Sequence, residues 1–449
     1  MILSKLPAAI IGLGKTGVSI AKYFDKNKVD YQIYDTRSDL IISKKILNQI
    51  SSKKITLGPI SMNSICNHDN FIVSPGISLE YNFIAKIKSA NKNIQTDIDL
   101  FDQEKRKNVL CITGSNGKTT VTLLLEHILN SLGKKAKAGG NIGLPALELL
   151  ETNLEYNILE LSSFQLEMTK KISCLASLIT NITPDHLDRH KSFENYKYIK
   201  HKIFDNSEKK ILNRTDKNIY KPEKNIEFSF GNDKPQNNSS FGIEFSKGLN
   251  YVIKGKDRIL CENEIKLLGK HNLENICASL AIINFLGLDI NKALESIKVF
   301  NCVEHRMEKF HEKSNVHWIN DSKSTNKDST ISAVNSLKGN IILILGGRSK
   351  TNNYTDLEKI VNKKSIYLIL YGECNHLLNK NIKTDNDKIV VKNIDDAVTE
   401  AYRFANVLLK KNKDKISILL SPACSSYDMY DSYEERGRHF KSKVIKDYR

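Results

Sequence analysis

The chain has 449 residues, 40% of them apolar and 27% charged, a composition that is typical of a folded globular protein and excludes a wholly disordered one. Its 68 basic and 51 acidic residues give a formal net charge of +17, which favours anionic ligands, but the basic residues are dispersed and do not predict nucleic-acid binding. No apolar run approaches the ~18 to 20 residues that span a bilayer, so we expect a cytoplasmic chain without membrane insertion. Eight cysteines without a C-x-x-C spacing predict neither a zinc site nor a disulfide framework.

Short apolar runs alternate with longer helical patterns, which predicts an α/β fold with mainly parallel sheets. At ~150 residues a domain, the length suggests about three domains. The predicted strands span residues 8–13, 31–34, 71–73, 109–113, 156–161, 177–181, 340–345, 366–371 and 416–420. The stretch 205–263 is more polar, with short alternating pieces, so we expect a small antiparallel part there. Since open α/β sheets bind ligands beyond the carboxyl ends of their strands, the residues after each run are the candidates for function.

The first predicted strand leads into a turn with Gly12, Gly14 and Gly17, and Asp35 ends the next strand. Such a turn lets a helix N-terminus bind a phosphate through backbone N–H groups, while an acid in the place of Asp35 can accept a hydrogen bond from a sugar or a base. A nicotinamide dinucleotide site is the first interpretation, and a turn that only lets a helix pack is the alternative. Arg37 favours an additional phosphate or a uracil-type contact over a bare ribose.

A second glycine-rich loop, residues 113–120, lies between a strand and an amphipathic helix. Its backbone N–H groups would wrap a triphosphate, Lys118 would neutralise the β and γ oxygens, and the Thr119 hydroxyl would ligate Mg²⁺. Ile112 occupies the first glycine position of the usual P-loop pattern, so we expect a variant loop in which Gly114 makes the turn. A dehydrogenase gives no reason for this second phosphate site.

Acidic and imidazole side chains follow the next two predicted strands. Glu160 stands at the exit of an apolar strand, where a charge would be costly unless a cation neutralised it, which makes it a candidate Mg²⁺ ligand. His186 lies in a post-strand loop beside Asp185 and Asp188, a setting that suits a metal or carboxylate contact. It is also the candidate base for an incoming amine.

The last third of the chain carries further polar clusters at predicted strand exits. They are residues 305–306, 320–326, 346–350 and 421–426. Each alone is compatible with turn chemistry. Together they place cations and hydroxyls on one edge of a sheet, as the anchoring of an anionic acceptor requires.

In their order and spacing these motifs resemble those of the Mur ligase family. The resemblance rests on residues 11–17, 35–37, 74–76, 114–119, 140–145, 159–165, 185–188, 269–272, 305–306, 320–323 and 420–424. It implies three domains, namely a Rossmann-like domain (1–96) that holds a UDP moiety, a central P-loop ATPase-like domain (97–302) and a C-terminal Rossmann-like domain (303–449) that binds the amino acid.

The resemblance also implies roles for individual residues. For ATP they are Gly114, Ser115, Asn116, Gly117, Lys118, Thr119, Thr120, Asn272, Asn275, Arg306, Asp321 and Lys323. For the UDP-linked substrate they are Thr16, Asp35, Thr36, Arg37, Ser74, Gly76, Asn141 and Ser162. For D-glutamate they are His186, Thr325, Lys350, Ser426 and Tyr433. The catalytic set is Lys118, Glu160, His186 and Lys200, and two Mg²⁺ ions would be held by Thr119, Glu160, His186 and a carbamylated Lys200.

The implied activity is ATP-dependent amide-bond formation between UDP-N-acetylmuramoyl-L-alanine and D-glutamate in peptidoglycan precursor synthesis. The alanyl carboxylate would attack the γ-phosphate, and the amine of D-glutamate would then displace phosphate from the acyl phosphate. The chain departs from the family at residues 346–350, which lack an Asp-Lys-Gly form, and at Tyr433, where phenylalanine is usual. The alternatives are a sister Mur or folylpolyglutamate-type ligase, a regulatory P-loop ATPase and a nicotinamide oxidoreductase. We expect a monomer.

Overall fold

The computed structural model describes residues 6–40, 42, 46, 48–50, 54–219, 227–235, 237–267, 269–301, 304–364, 366–411 and 414–448. Within this part of the chain, helices and strands alternate as the sequence predicts and build three sheets. The chain divides into two compact units, of which residues 1–245, 251–260 and 275–297 form the first, and residues 246–250, 261–274 and 298–449 the second. No helix among the described residues is long and apolar enough to cross a membrane.

The first sheet lies in the N-terminal part of the first unit. Its five described strands are β1 (Ala8–Ile11), β2 (Tyr31–Asp35), β3 (Ile55–Leu57), β4 (Asn70–Val73) and β5 (Asn93–Gln95). They pair in the order β3-β2-β1-β4-β5, all parallel. Ile10, Ile33 and Ile72 on the central strands are fully buried, because helices cover both faces of such a sheet. The strand order reverses beside β1, so the turn after β1 is the switch point at which α/β sheets bind ligands.

The second sheet holds the other glycine-rich loop. Its nine described strands are β6 (Val109–Thr113), β7 (Ala136–Gly140), β8 (Tyr156–Glu160), β9 (Cys174–Ile179), β10 (Ser207–Asn213), β11 (Ser229–Phe230), β12 (Phe241–Ser246), β13 (Leu249–Lys254) and β14 (Asp257–Cys261). Their order is β14-β13-β12-β11-β10-β9-β6-β8-β7. Because β6 runs parallel to both β8 and β9, the exits of these three strands lie side by side.

The expected antiparallel part is only partly right. β10 pairs parallel with β9 and β11, and β11 pairs parallel with β12, which the sequence interpretation had wrong. Only β12, β13 and β14, which pair in that order and are joined by two-residue connections, form antiparallel hairpins. Alternating polar and apolar residues indicate a half-exposed strand, but the length of the connection decides its direction.

The third sheet lies in the second unit. Its six described strands are β15 (Glu308–Lys313), β16 (Val316–Asn320), β17 (Asn340–Gly346), β18 (Tyr367–Tyr371), β19 (Lys388–Val390) and β20 (Ile416–Leu420). They pair in the order β15-β16-β20-β17-β18-β19, and only the β15/β16 pair is antiparallel. All nine predicted strands are thereby confirmed, with ends shifted by a few residues.

The helices connect these strands and supply the outer layers. In chain order, the described α-helices are α1 (Lys15–Lys26), α2 (Met62–Cys66), α3 (Asn82–Ser89), α4 (Asp97–Gln103), α5 (Lys118–Ser131), α6 (Ser163–Met168), α7 (Leu187–His190), α8 (Phe193–His201), α9 (Lys270–Phe285), α10 (Ile290–Val299), α11 (Lys327–Ser336), α12 (Thr355–Lys363), α13 (Asn375–Asn381), α14 (Ile394–Lys411) and α15 (Tyr433–Tyr448). Short 3₁₀ helices span Ala146–Glu151, Lys202–Phe204 and Glu262–Glu264. The predicted boundary at residue 96 falls on Thr96, which caps α4, whereas the one at 302 lies outside the described residues. The two domain boundaries stay a prediction.

Candidate active site

Asp35 ends β2 and closes the glycine-rich turn after β1. One carboxylate oxygen accepts hydrogen bonds from the Leu13 backbone N–H (2.7 Å) and Arg37 Nη2 (2.8 Å), and the other accepts from Arg37 Nε (2.8 Å) and the Arg37 backbone N–H (3.1 Å). Burial alone would raise the pKa of Asp35, but these hydrogen bonds lower it to about 2. Each oxygen already has two donors, so a ligand would reach the carboxylate by replacing Arg37, whose side chain is 54% exposed.

The helix after this turn packs directly on it. A Cβ on Gly17 would lie 1.9 Å from the Gly12 carbonyl oxygen, so only glycine fits where α1 crosses the turn. The Ser74 hydroxyl, at the exit of β4, donates to the same carbonyl at 3.3 Å. The exits of β1, β2 and β4 therefore converge. Three other residues are predicted to bind the UDP-linked substrate at this turn. Thr16 and Thr36 are partly exposed, and Gly76 is exposed.

The second glycine-rich loop connects β6 with α5, and Gly114 makes the turn as predicted. Gly114 has a φ of +150°, and a Cβ there would lie 1.8 Å from Thr180 Oγ1. Gly117 has a φ of +82° at the N-cap of α5, and a Cβ there would lie 2.4 Å from Asn275 Oδ1. Both positions require glycine, because the loop takes backbone conformations and close approaches that a side chain would prevent. The N-terminus of α5 follows directly, and helix N-termini bind phosphate through their backbone N–H groups.

Two lysines converge on one carbonyl of this loop. Lys118 Nζ donates to the carbonyl oxygens of Gly114 (2.7 Å) and Ser115 (2.9 Å), and Lys200 Nζ donates to the Gly114 carbonyl at 2.8 Å. Lys200 is 1% exposed. Its burial, and secondly the charge of Lys118, lower the pKa of Lys200 well below the usual lysine range. The structure thus brings together two of the four predicted catalytic residues.

Glu160 ends β8 beside this loop, since it pairs with Ile112 of β6. The residue is 1% exposed, and Asn141 Nδ2 donates to its Oε1 at 2.7 Å. Its Oε2 is buried and finds no hydrogen-bond partner among the described residues. A buried carboxylate oxygen without a donor is costly unless a cation meets it, and carboxylate oxygens are the ligands that Mg²⁺ prefers. Glu160 therefore fits the predicted metal ligand.

The loop after β9 carries His186 and Asp185. It lies at the same edge of the sheet as the glycine-rich loop after β6, because β6 and β9 are parallel neighbours. His186 is the N-cap of α7, with a φ of +51°, and its Nε2 lies 3.7 Å from Asp185 Oδ2. The field of Asp185 raises the pKa of Lys200, opposing the larger effect of burial. The sequence interpretation gave Asp185 no role in the site, although its position after a strand made it a candidate. Ser162, predicted to touch substrate, caps α6 in a reciprocal pair with Gln165.

The polar loop residues are held by neighbours that sequence reasoning missed. Ser115 Oγ donates to the Thr183 carbonyl at 2.9 Å and lies 3.0 Å from the Tyr196 hydroxyl. The Asn116 backbone N–H donates to Asn181 Oδ1 at 2.9 Å. Asn181 and Thr183 follow β9, so they were predictable from the rule that ligands bind at strand exits. Tyr196 lies on α8, and its position in the sequence does not indicate a place in the site. Thr119 and Thr120, in the first turn of α5, are buried.

Within the second unit, Asp321 follows β16 and is 5% exposed. Its Oδ2 accepts from Ser421 Oγ at 2.7 Å and from the Ser324 hydroxyl, and its Oδ1 accepts from the Met307 backbone N–H at 3.1 Å. Burial raises the pKa of Asp321 to about 6 although these hydrogen bonds oppose the shift. The contact with Ser421 joins the exits of the adjacent strands β16 and β20.

The other residues predicted in this unit surround the same sheet edge. Lys323 Nζ lies 3.8 Å from the centroid of the Tyr433 ring, a cation–π contact. Arg348 and Ser425 exchange backbone hydrogen bonds of 2.9 Å in both directions, which ties the loop after β17 to the one after β20. Of the remaining residues, Asn272 and Ser426 are buried, Arg306 and Thr325 are partly exposed, and Lys350 is exposed.

Comparison with known proteins matches this architecture. Residues 112–283 match the Mur ligase middle domain, and residues 7–96 match the Mur ligase MurD-like N-terminal domain. The chain is 32% identical over 439 residues to the UDP-N-acetylmuramoylalanine--D-glutamate ligase of Pasteurella multocida, and 36% identical over 436 residues to that of Buchnera aphidicola subsp. Schizaphis graminum, with 96% of each chain covered. The chain belongs to the Mur ligase family. Members of the Mur ligase family are ATP-dependent ligases, which assigns this class of activity and excludes the nicotinamide interpretation of the first glycine turn.

Solved Mur ligase structures share the fold over nearly the whole chain. The UDP-N-acetylmuramate-alanine ligase MurC of Thermotoga maritima superimposes with a TM-score of 0.61 at 18% identity, covering 98% of this chain and 99% of that one. A pseudomurein peptide ligase type C of Methanothermus fervidus gives 0.62 at 18%, covering 98% and 100%. At such identities the likeness shows the Mur ligase fold alone and does not identify the substrates.

Proposed function

We propose that this Mur ligase joins D-glutamate to UDP-N-acetylmuramoyl-L-alanine and converts ATP to ADP and phosphate. The observation that carries the proposal is the convergence of Lys118 and Lys200 on the Gly114 carbonyl, beside the partnerless Oε2 of Glu160. The phosphate loop is thus surrounded by two lysine side chains and a carboxylate. The names of the full-length relatives support the choice of D-glutamate as acceptor.

The ATP phosphates would lie on residues 114–120. The N-terminus of α5 and the Lys118 ammonium would offset the repulsion between the γ-phosphate and the attacking carboxylate. Lys118 now donates to two loop carbonyls, which hold it at the loop until a phosphate replaces them. The other residues proposed to bind ATP are Asn272, Asn275, Arg306, Asp321 and Lys323.

Glu160, Thr119 and His186 would hold Mg²⁺, together with Lys200 once its amine has become a carbamate. When bound, Mg²⁺ would neutralise phosphate charge. The lowered pKa of Lys200 favours the uncharged amine, whose lone pair reacts with CO₂: an N–C bond forms, a proton is released, and the product is an anionic carbamate. We propose two ions, because the four residues offer more ligands than one phosphate-bound Mg²⁺ takes from protein.

Amide formation follows from this charge arrangement. The alanyl carboxylate attacks the γ-phosphorus, ADP leaves, and the resulting acyl phosphate is a good electrophile. The amine of D-glutamate, once it has lost a proton, attacks the carbonyl carbon, and phosphate leaves from the tetrahedral adduct with the bond electrons. No protein nucleophile takes part, so catalysis consists of positioning and electrostatics.

The remaining substrate contacts are proposed from strand exits. The uridine and its phosphates would meet Arg37 and Asp35 in the first sheet, with Thr16, Thr36, Ser74 and Gly76 nearby, and Asn141 and Ser162 would meet the muramoyl group. D-glutamate would be held by His186, Thr325, Lys350, Ser426 and Tyr433. We propose domains 1–96, 97–302 and 303–449, a monomer, and a place in the cytoplasm, where UDP-linked precursors are made.

The test is a coupled assay of ADP and phosphate formation with UDP-N-acetylmuramoyl-L-alanine and one amino acid at a time. We expect turnover with D-glutamate and neither with L-glutamate nor with the acceptors of sister ligases, such as meso-diaminopimelate. Lys118→Met should lose turnover, and the matched Lys107→Met, at an exposed lysine before β6, should keep it.

Two results would overturn the proposal. Turnover with another amino acid and not with D-glutamate would make the chain a sister ligase. ATP hydrolysis indifferent to every amino acid would make it a regulatory ATPase. The peptide product is identified by mass, so uncoupled hydrolysis does not count as ligation.

A further inference from the structure

Two cysteines that lie 50 residues apart in sequence meet inside the second unit. Cys374 follows β18 and Cys424 follows β20, and their Sγ atoms are 3.1 Å apart. Cys424 is fully buried and Cys374 is 6% exposed. The sequence, which shows no C-x-x-C spacing, gave no hint of this pair, because its two members come from separate strand exits.

The surroundings of the pair favour reaction at Cys424. The two thiols are in hydrogen-bond contact, and this contact, before all other influences, lowers the pKa of Cys424 and raises that of Cys374. The Tyr354 hydroxyl lies 3.4 Å from Cys424 Sγ and is itself 2.6 Å from Ser349 Oγ. A thiolate is the nucleophilic form of cysteine, so the pair has one sulfur prepared to attack and a second in contact with it to resolve the product.

The two cysteines flank residues 346–350, a loop whose last residue, Lys350, is proposed to bind D-glutamate. The Cys374 backbone N–H donates to the Gly347 carbonyl at 3.0 Å. On the other side, Ser425, which follows Cys424, exchanges backbone hydrogen bonds with Arg348 and donates its hydroxyl to the Arg348 carbonyl at 3.0 Å. Residues 346–350, which end in Lys350, are thus held between the two cysteine-bearing loops.

We propose that Cys374 and Cys424 form a reversible disulfide that regulates acceptor binding, with a small peroxide as the oxidant. The Cys424 thiolate attacks one oxygen of hydrogen peroxide, the O–O bond breaks, and the products are a sulfenic acid and, after protonation, water. Cys374 then attacks the Cys424 sulfur, the S–O bond breaks, and a second water leaves. Two thiols lose two electrons and two protons in all, and peroxide is reduced to two waters.

Closing the bond shortens the Sγ–Sγ distance from 3.1 Å to about 2.0 Å. The segments that carry the two cysteines are then drawn together. The loop 346–350, bonded to both cysteine-bearing segments, shifts in turn. Acceptor binding should therefore weaken, while the glycine-rich sites of the first unit are untouched. This consequence rests on the proposed D-glutamate site, whereas disulfide formation itself does not.

The experiment treats the reduced full-length protein with hydrogen peroxide, removes the oxidant, and divides the sample. Non-reducing peptide mapping should show the peptides of Cys374 and Cys424 linked, with two hydrogens lost. Steady-state kinetics should show kcat/KM for D-glutamate lowered about tenfold, an unchanged KM for the UDP-linked substrate, and full recovery with dithiothreitol. Cys374→Ser should keep basal activity and lose the response, and Cys66→Ser, at an exposed cysteine, should keep both.

Each other outcome refutes a distinct part of the reasoning. If Cys374 and Cys424 stay reduced while Cys66 oxidises, the proposed disulfide site does not exist. This result comes from the wild-type protein and does not depend on the folding of a variant. If the disulfide forms and the KM for D-glutamate does not change, it does not regulate the acceptor. A loss of activity that persists in Cys374→Ser would point to other cysteines. If the reduced protein shows no turnover with D-glutamate at all, the proposed function fails, and peptide mapping still decides whether the disulfide forms.

Discussion

Replacing Asp35 by asparagine should destabilise the glycine-rich turn of the first sheet, and the free energy lost follows from the pKa of Asp35. The pKa of this carboxyl falls from 3.8 to about 2, and each unit is ~1.4 kcal/mol, so the ionised carboxylate stabilises the folded turn by about 2 kcal/mol. The side chain is 3% exposed, so solvent screens the interaction little. Because the pKa of the folded state is depressed, this stabilisation is complete at neutral pH and is lost as the pH falls from about 4 to 2.

Hydrogen exchange measures this turn directly, since the Leu13 N–H donates to Asp35. In Asp35→Asn, protection of the peptide around Leu13 should fall roughly 30-fold at pH 7 and only about fivefold at pH 3, where half of the stabilisation is already gone. Asp39→Asn, at an exposed acid of the same loop, serves as the matched control and should match the wild type at both pH values. Equal protection in Asp35→Asn and wild type at pH 7, or a difference that does not depend on pH, would refute the electrostatic reasoning.

Three further perturbations test other parts of the structure. Lys118→Met should lower the rate of acyl-phosphate formation by roughly a thousandfold with little change in thermal midpoint, because it removes the cation at the phosphates; single-turnover ADP release measures this. Gly17→Ala should lower the stability of the first unit by several kcal/mol, since its Cβ would lie 1.9 Å from the Gly12 carbonyl oxygen, whereas Gly14→Ala, with no atom within 4 Å, should not; denaturation of both variants compares them. Incubation with ¹³C-bicarbonate should give a carbamate resonance that Lys200→Arg lacks, since arginine has no amine to react; the resonance should fade as the pH falls and the amine is protonated.

Much of the fold was predictable because buried parallel strands can be recognised from the local sequence. A strand buried on both faces is an uninterrupted apolar run, and 109–113 was predicted with the ends that the structure shows. The directions of β10 and β11 were not predictable in this way. Whether a polar strand pairs parallel or antiparallel depends on where its neighbour in the sheet comes from in sequence, and no periodicity contains that information.

The candidate site was predictable where one residue type is required by chemistry. Gly114, Gly117, Lys118 and Glu160 stood out because backbone conformation, phosphate charge and burial each permit few alternatives. Asp185 was noted beside His186 but given no role, because its effect on Lys200 arises from proximity in space. The contact of Cys374 with Cys424 was hidden for the same reason, since nothing in the sequence between them shows that two strand exits will meet.

The two lysines that contact the phosphate loop, Lys118 and Lys200, show how burial can give one residue type two different roles. Both donate to the Gly114 carbonyl, at 2.7 and 2.8 Å, so two ammonium groups there would repel each other at close range. Lys118 starts a helix at the loop, whereas Lys200 is 1% exposed, and its burial lowers its pKa well below the usual lysine range. In the proposed function, one lysine thus serves the phosphates and the other offers an amine that CO₂ can convert to an anionic carbamate. Exchanging their burial should therefore remove both proposed roles without changing the residue types present, because the burial of Lys200, which also donates to Thr113 Oγ1 of β6 at 3.4 Å, sets its pKa.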